Sequence, residues 1–467
     1  MTGTTLSPLG RRLFPSLTDF LFVGLLVTRL HPTLFYDGDT AWHLWAGSWF
    51  LDHGVRAIPD SLSFTRAGLS WASPQWLAEI FFALAWRHGG YFEVALLASA
   101  VFAGAFAWLY RQLVRHTDHP PAAALVTVLA AQASLVQLVA RPVVFSLLLF
   151  VAMSRVISSR RVAWLGPLVT ALWANLHPSA FLAPAMLAFW AVARRSRPLA
   201  LAAALSGLAL GATPWGFGWL RDLVPTGQNL GFFLRIDEWR TPGFREPRFW
   251  GLLVFILLSL VARRGRPGLS WAETLWGLGW LSLALVSARM SPFAVLAWAP
   301  WLASDLAAVP WGRGLRDALA PVERQVRPGV WIAAVTIAAL VAGPALAPAF
   351  PQVARGFSPA RFPERALAAA DSAGLGPKVW NGYLWGGYVS WTRPGRYRVL
   401  IDGRAGFFGD QVLRDYLEVM ELRRGWRAAL DRRRPDWMLV PPDVPIATAS
   451  GWRPVYRDSV AVVLAPR

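Results

Sequence analysis

For its first 350 residues the chain alternates long apolar runs with short polar breaks, and after that the runs shorten and charges intersperse. Apolar runs at 15–33, 90–110, 120–139, 142–157, 162–176, 179–193, 198–216, 249–262, 271–287, 290–308 and 330–350 predict about eleven helices of bilayer-crossing or nearly bilayer-crossing length. Basic clusters fall at alternate breaks: Arg11 and Arg12, Arg111 and Arg115, Arg160 and Arg161, Arg194 to Arg197, Arg263 to Arg266, and Arg313 to Arg327. Placing all of them on the cytoplasmic side gives an N-in, C-out orientation. The expected fold class is therefore a mainly α polytopic membrane protein with a C-terminal extracytoplasmic α/β domain, in a bacterial inner membrane with its active face outside. The expected division is a membrane domain over 1–350, with a catalytic outer loop at 34–89, and the α/β domain over 351–467. Arg11 and Arg12 precede an apolar run that no small-residue cleavage site follows, so the first helix reads as uncleaved.

Within the loop 34–89 the pattern predicts a helix from Thr40 to about His53, with Asp39 as N-cap and Gly54 as its stop. A second amphipathic segment fits 75–87, and Trp42, Trp45, Trp49, Trp71, Trp76 and Trp86 suit an interfacial position. Beyond 351, helices are expected at 363–374 and 410–432, and strands at 379–383, 399–401, 437–440 and 460–464. The glycines of Trp385-Gly386-Gly387-Tyr388 and Asp402-Gly403-Arg404-Ala405-Gly406 lack the spacing of a phosphate-binding loop.

Composition sharpens this picture. Of the 467 residues 55% are apolar and 16% charged, too apolar for an ordinary soluble chain of this length. The net charge of +19 is almost wholly arginine, with Lys378 the one lysine. Because the arginines sit in short clusters between apolar runs, nucleic acid is not an expected partner. The absence of cysteine excludes disulfides and thiolate metal sites.

Unusual polar residues gather at the breaks opposite the basic clusters, which is where chemistry is expected. Asp37 and Asp39, separated by Gly38, have two open readings: a turn with a helix cap, or an oxygen pair for a divalent cation such as Mg2+ or Mn2+. His43 lies one helical turn beyond Asp39. Arg141 and Arg289 suit a phosphate clamp, or else extend to an interface from helix ends. His177 reads as a ligand for metal, phosphate or acceptor, or as a helix-end residue. Glu238, beside Trp239, is a second carboxylate or a solvated loop residue, and Glu79 faces either Asp39 or water.

Asp37-Gly38-Asp39 with His43 and Gly47, then Pro59-Asp60-Ser61-Leu62-Ser63-Phe64-Thr65 and Trp76-Leu77-Ala78-Glu79, resembles the first outer loop of type-C membrane glycosyltransferases. These are relatives of protein mannosyltransferases and of oligosaccharyltransferase catalytic subunits. Ala140-Arg141-Pro142, Trp173-Ala174-Asn175-Leu176-His177, Ile236-Asp237-Glu238-Trp239, Ala288-Arg289, Asn381-Gly382-Tyr383 and Ile401-Asp402-Gly403-Arg404 are similar to segments of the same bacterial branch. The resemblance implies transfer of a sugar from a polyprenyl-phosphate donor to a lipid, glycan or protein acceptor on the outer leaflet or periplasmic side. It implies an acidic residue of the first loop at the centre. Displacing a phosphate from an anomeric carbon calls for a base and for cations on the leaving group, which suits Asp39, with Asp37 beside it, and Arg141 with Arg289. A transporter or flippase for lipid-linked glycans, using the same arginines, and a metal-independent glycan ligase are the competing expectations.

Overall fold

In a computed structural model, the structure describes residues 7, 9–223, 232, 236–449 and 451–467. Its backbone is one long kinked helix, Trp76–Thr117, against which the others assemble. The predicted segments 75–87 and 90–110 are the two arms of this helix, which bends where Gly89 and Gly90 leave helical geometry. Gly90 has φ 65° and ψ −150°, a conformation open essentially to glycine. Leu17–Arg29, Asp39–His53, Pro120–Ala133, Val143–Ser158 and Val330–Leu346 pack on it; Asp39–His53 meets the first arm at Glu79 and Ala83, and Val143–Ser158 meets Phe82 on the first arm and Gln112 on the second. Small residues such as Ala95, Ala98, Ala103 and Ala105 are fully buried along this helix and allow its neighbours to approach closely.

Eleven bilayer-crossing helices are not what the chain forms. Among the described residues only Trp76–Thr117 and Val330–Ala349 are long and apolar enough to cross a membrane, and 72% of the most apolar window of the first is buried inside the molecule. The expected orientation and multi-pass inner-membrane location fall with the span count. The physical reason is that apolar runs in the sequence continue through corners that end the helices. The run 162–176 is a 3-10 segment, Arg160–Leu165, followed by an 11-residue helix, Gly166–Leu176. At 1.5 Å per residue that helix is about 16 Å long, against an apolar bilayer thickness of about 30 Å. Likewise the run 179–193 divides into the 3-10 turn Pro178–Phe181 and the 12-residue helix Leu182–Ala193.

After Pro351 a five-stranded sheet forms from β3 (Lys378–Asn381), β4 (Arg398–Val399), β5 (Trp437–Val440), β6 (Trp452–Arg457) and β7 (Val462–Pro466), in the order β4-β3-β5-β7-β6. Strands β3, β4 and β5 are parallel, while β7 runs antiparallel to β5 and β6. The short pair β1 (Ile58–Pro59) and β2 (Ser70–Trp71) lies in the first loop. Strand β6 was not expected. The segment 410–432 is two helices, Ala405–Met420 and Trp426–Arg433, because Leu422 and Gly425 both take positive φ between them.

The first loop and the C-terminal region join directly. Ser63 pairs with Val399 at the free edge of β4, Phe64 N–H donates to Val399 C=O at 3.1 Å, and Val399 N–H donates to Leu62 C=O at 2.9 Å. Arg404, almost wholly buried, reaches Asp60 at 2.9 Å and Asp402 at 2.6 Å, with its guanidinium over the Trp71 ring. The sheet edge is thereby covered and the loop is fastened at both ends.

Candidate functional site

The turn at 37–39 is built by the backbone of its own second aspartate. Asp37 Oδ1 accepts the Asp39 N–H at 2.8 Å, and the helix Asp39–His53 starts at once, with Gly38 as N-cap. The expected roles are thus exchanged: Asp37 satisfies a free N–H of the helix start, and Asp39 is the first helical residue, with a carboxylate not spent on capping. Gly54, at φ 77°, ends this helix as expected.

Arg141 is brought to this turn by main chain, since Ala140 N–H donates to Leu34 C=O at 2.9 Å, just before the aspartates. The buried guanidinium of Arg141 donates to Asp37 Oδ2 and lies 3.5 Å from Asp39 Oδ2. Its other terminal nitrogen is 3.5 Å from Glu238 Oε1, and the same oxygen accepts from Arg289 Nη1 at 2.8 Å. Ala288 N–H donates to Arg240 C=O at 2.9 Å and Ser287 Oγ to Glu238 C=O at 3.3 Å, so the Glu238 and Arg289 segments are tied by backbone as well. Arg289 also lies over the Trp239 ring at 5.1 Å. The pocket is an alternating chain of charge: the two aspartates, Arg141, Glu238, Arg289.

The two histidines line the same pocket as neutral rings. His43 is buried with Nδ1 2.9 Å from Glu79 Oε1, which also accepts from Ser73 Oγ at 2.8 Å. Glu79 is therefore held by His43 and Ser73, facing neither Asp39 nor water, and a Cβ at Gly47 would overlap its carbonyl oxygen. His177 Nδ1 accepts the Ser179 N–H at 3.2 Å, which leaves Nε2 to carry the ring proton. Burial first, then Arg141 and His177, push His43 well below the usual imidazole range; burial, Arg289 and Arg141 do the same to His177.

Asp39 responds in the opposite direction. Burial and then the neighbouring Asp37 push its carboxyl up to about 7, with Arg141 opposing and Glu238 and Asp402 adding to the rise. Burial also raises Glu238, but Arg289 and Arg141 outweigh it and hold this carboxylate below its ordinary value. Burial works against Arg141, yet Asp37, Glu238 and Asp39 keep it charged well above its ordinary range. One carboxyl is thus poised near neutrality beside the Arg141 cation, with Arg289 one step further along the chain of charge.

The C-terminal region closes the pocket, which the sequence reading did not anticipate. Tyr383 follows β3 and Asp402-Gly403 follow β4, at the carboxyl ends of parallel strands, where open α/β sheets present ligands. A Cβ at Gly403 would overlap the Asp39 carboxylate, one at Gly387 would come 2.6 Å from Gly38 C=O, and one at Gly38 would overlap Leu384 C=O. Tyr383 is held in neutral form, far above the usual phenol range, by burial and by Asp39, Glu238, Asp402 and Asp37. The signal was present as the glycines 38, 387 and 403; what they approach is not written in their spacing.

Every residue proposed from sequence (Asp37, Asp39, His43, Glu79, Arg141, His177, Glu238 and Arg289) lies in or against this one pocket. Both Asp37 oxygens already accept, one from Asp39 N–H and one from Arg141, and among the described residues no group of three or more His, Cys, Asp or Glu converges as metal ligands. Comparison with known proteins matches the chain to no family model and to no curated protein.

Proposed function

We propose that the protein transfers a glycosyl group from a phosphate-linked donor, of the polyprenyl-phosphate class, to an acceptor hydroxyl. The observation that supports this reading is the pairing, in one pocket, of a carboxyl poised near pH 7 with two guanidinium groups on adjoining segments. Asp39 Oδ takes the proton of the acceptor hydroxyl as its oxygen forms the new bond to the anomeric carbon. The carbon–oxygen bond to phosphate breaks with its electron pair, and Arg141 and Arg289 receive the departing phosphate. The guanidinium fork matches phosphate oxygens and stays charged when partly buried. Neutral His177 offers Nε2–H to the donor, and neutral Tyr383 offers its hydroxyl without adding charge. No step is assigned to a metal.

The test is turnover of the purified full chain against a panel of polyprenyl-phosphate sugars and hydroxyl acceptors, wild type beside Asp39→Asn. Release of polyprenyl phosphate by the wild type, unaffected by chelator and reduced at least about a hundredfold in the variant, is the expected result. Full activity of Asp39→Asn removes Asp39 as base, and no turnover of any donor overturns the reading.

A further inference from the structure

We propose that the C-terminal region carries a second binding site, a cleft for an acidic saccharide, remote from the Asp39 pocket. An open surface groove of about 520 Å³ lies between the helix Trp426–Arg433 and the outer strands. Arg434 and Pro435, which precede β5, line it together with Gly451-Trp452 at the start of β6 and Pro466 at the end of β7. It therefore lies at the amino ends of the parallel strands, whereas Tyr383 and Gly403 lie at their carboxyl ends.

The lining fits one ligand chemistry. Trp426 and Trp452 each pack partly into the core of this region and line the groove, and Trp452 is the platform for the C–H face of a pyranose. Arg427, over the Trp426 ring at 5.2 Å, and Arg434 both line the groove, two cations for a carboxylate. Asp431 offers acceptors to sugar hydroxyls.

The backbone supplies an independent argument. Arg434 takes φ 48° and ψ 59° as it closes the helix, its N–H donating to Leu430 C=O at 2.7 Å. Among the described residues only Asp118, Arg195, Leu422 and Arg434 are non-glycine residues at positive φ, and two of these bracket the helix that forms the cleft. Glycine would close this helix without strain, so what the arginine adds is its guanidinium.

Isothermal titration of the full chain with a uronate tetrasaccharide, a neutral tetrasaccharide and inorganic phosphate tests this. The acidic sugar is expected to bind at least about tenfold tighter than the neutral one. Arg434→Gly should weaken it about tenfold with Tm unchanged or raised, because glycine relieves the strain. Asp39→Asn should bind as wild type, so that failure of the transfer reading leaves this site standing. Equal affinity for the neutral sugar, competition by phosphate at equal concentration, unchanged binding in Arg434→Gly, weakened binding in Asp39→Asn, or no binding at all each overturns the proposal.

Discussion

Gly403 stands against the carboxylate of Asp39 with no room for a methyl group between them. The base proposed for transfer is therefore positioned by a residue more than 360 positions away in the chain, through contact alone.

Gly403→Ala is expected to move the Asp39 side chain, since its carboxylate is what the new methyl meets first, and to cut turnover by at least about tenfold with a small effect on Tm. Gly38→Ala and Gly386→Ala press instead on the main-chain oxygens of Leu384 and Ile401, and each should lower stability by about 1–3 kcal/mol. Parallel turnover and thermal unfolding of the three variants check this contrast.

Turnover should rise with pH through about 7, as Asp39 ionises. Glu238→Gln removes a charge that raises this carboxyl and should move the midpoint down; Arg141→Gln removes one that lowers it and should move the midpoint up. A pH profile that is the same in all three proteins would detach the titration from Asp39.

The same shift has a cost in stability. Because the folded pKa is raised from 3.8 to about 7, folding is favoured by the proton, and stability is lost as pH rises between about 4 and about 7. Above pH 7 the penalty is complete, of the order of a few kcal/mol. Asp39→Asn should remove this dependence, so its Tm advantage over wild type grows with pH across that window; a constant difference would contradict it.

Glu238 Oε1 sits between Arg289 and Arg141, where a phosphate oxygen would be received. Binding of the donor phosphate must displace it. Glu238→Gln should raise affinity for polyprenyl phosphate several-fold, to about tenfold, and Arg289→Ala should lower it by a similar factor. Equilibrium binding of the product lipid measures both.

Arg404 holds Asp60 and Asp402 together in a nearly water-free site. Arg404→Met strands both carboxylates and should cost about 3–5 kcal/mol, with faster proteolysis in the loop 55–72. Adding Asp60→Asn and Asp402→Asn should recover part of that loss, which a purely packing role for the arginine would not.

Local chemistry was legible without the fold. The helix from 39 to 53 with its glycine stop, the helix near 363–374 and strands near 379, 399 and 437 follow from short-range pattern and turn residues, which act within a few positions. The carboxylates, arginines and histidines at the breaks of apolar runs stood out as a group, each with a structural reading beside the chemical one, and it took the fold to bring them together. What sequence misjudged was length. Hydropathy counts apolar residues through a corner as readily as along a helix, whereas Pro178 and the 3-10 segments end helices by backbone geometry, so eleven runs became two helices of crossing length among the described residues. Only tertiary packing decided that Arg141 lies between the aspartates and Glu238, and that Tyr383 and Gly403 close the pocket. Burial and the sum of neighbouring charges set a carboxyl near 7, and both are properties of atoms close in space, which no spacing along the chain encodes.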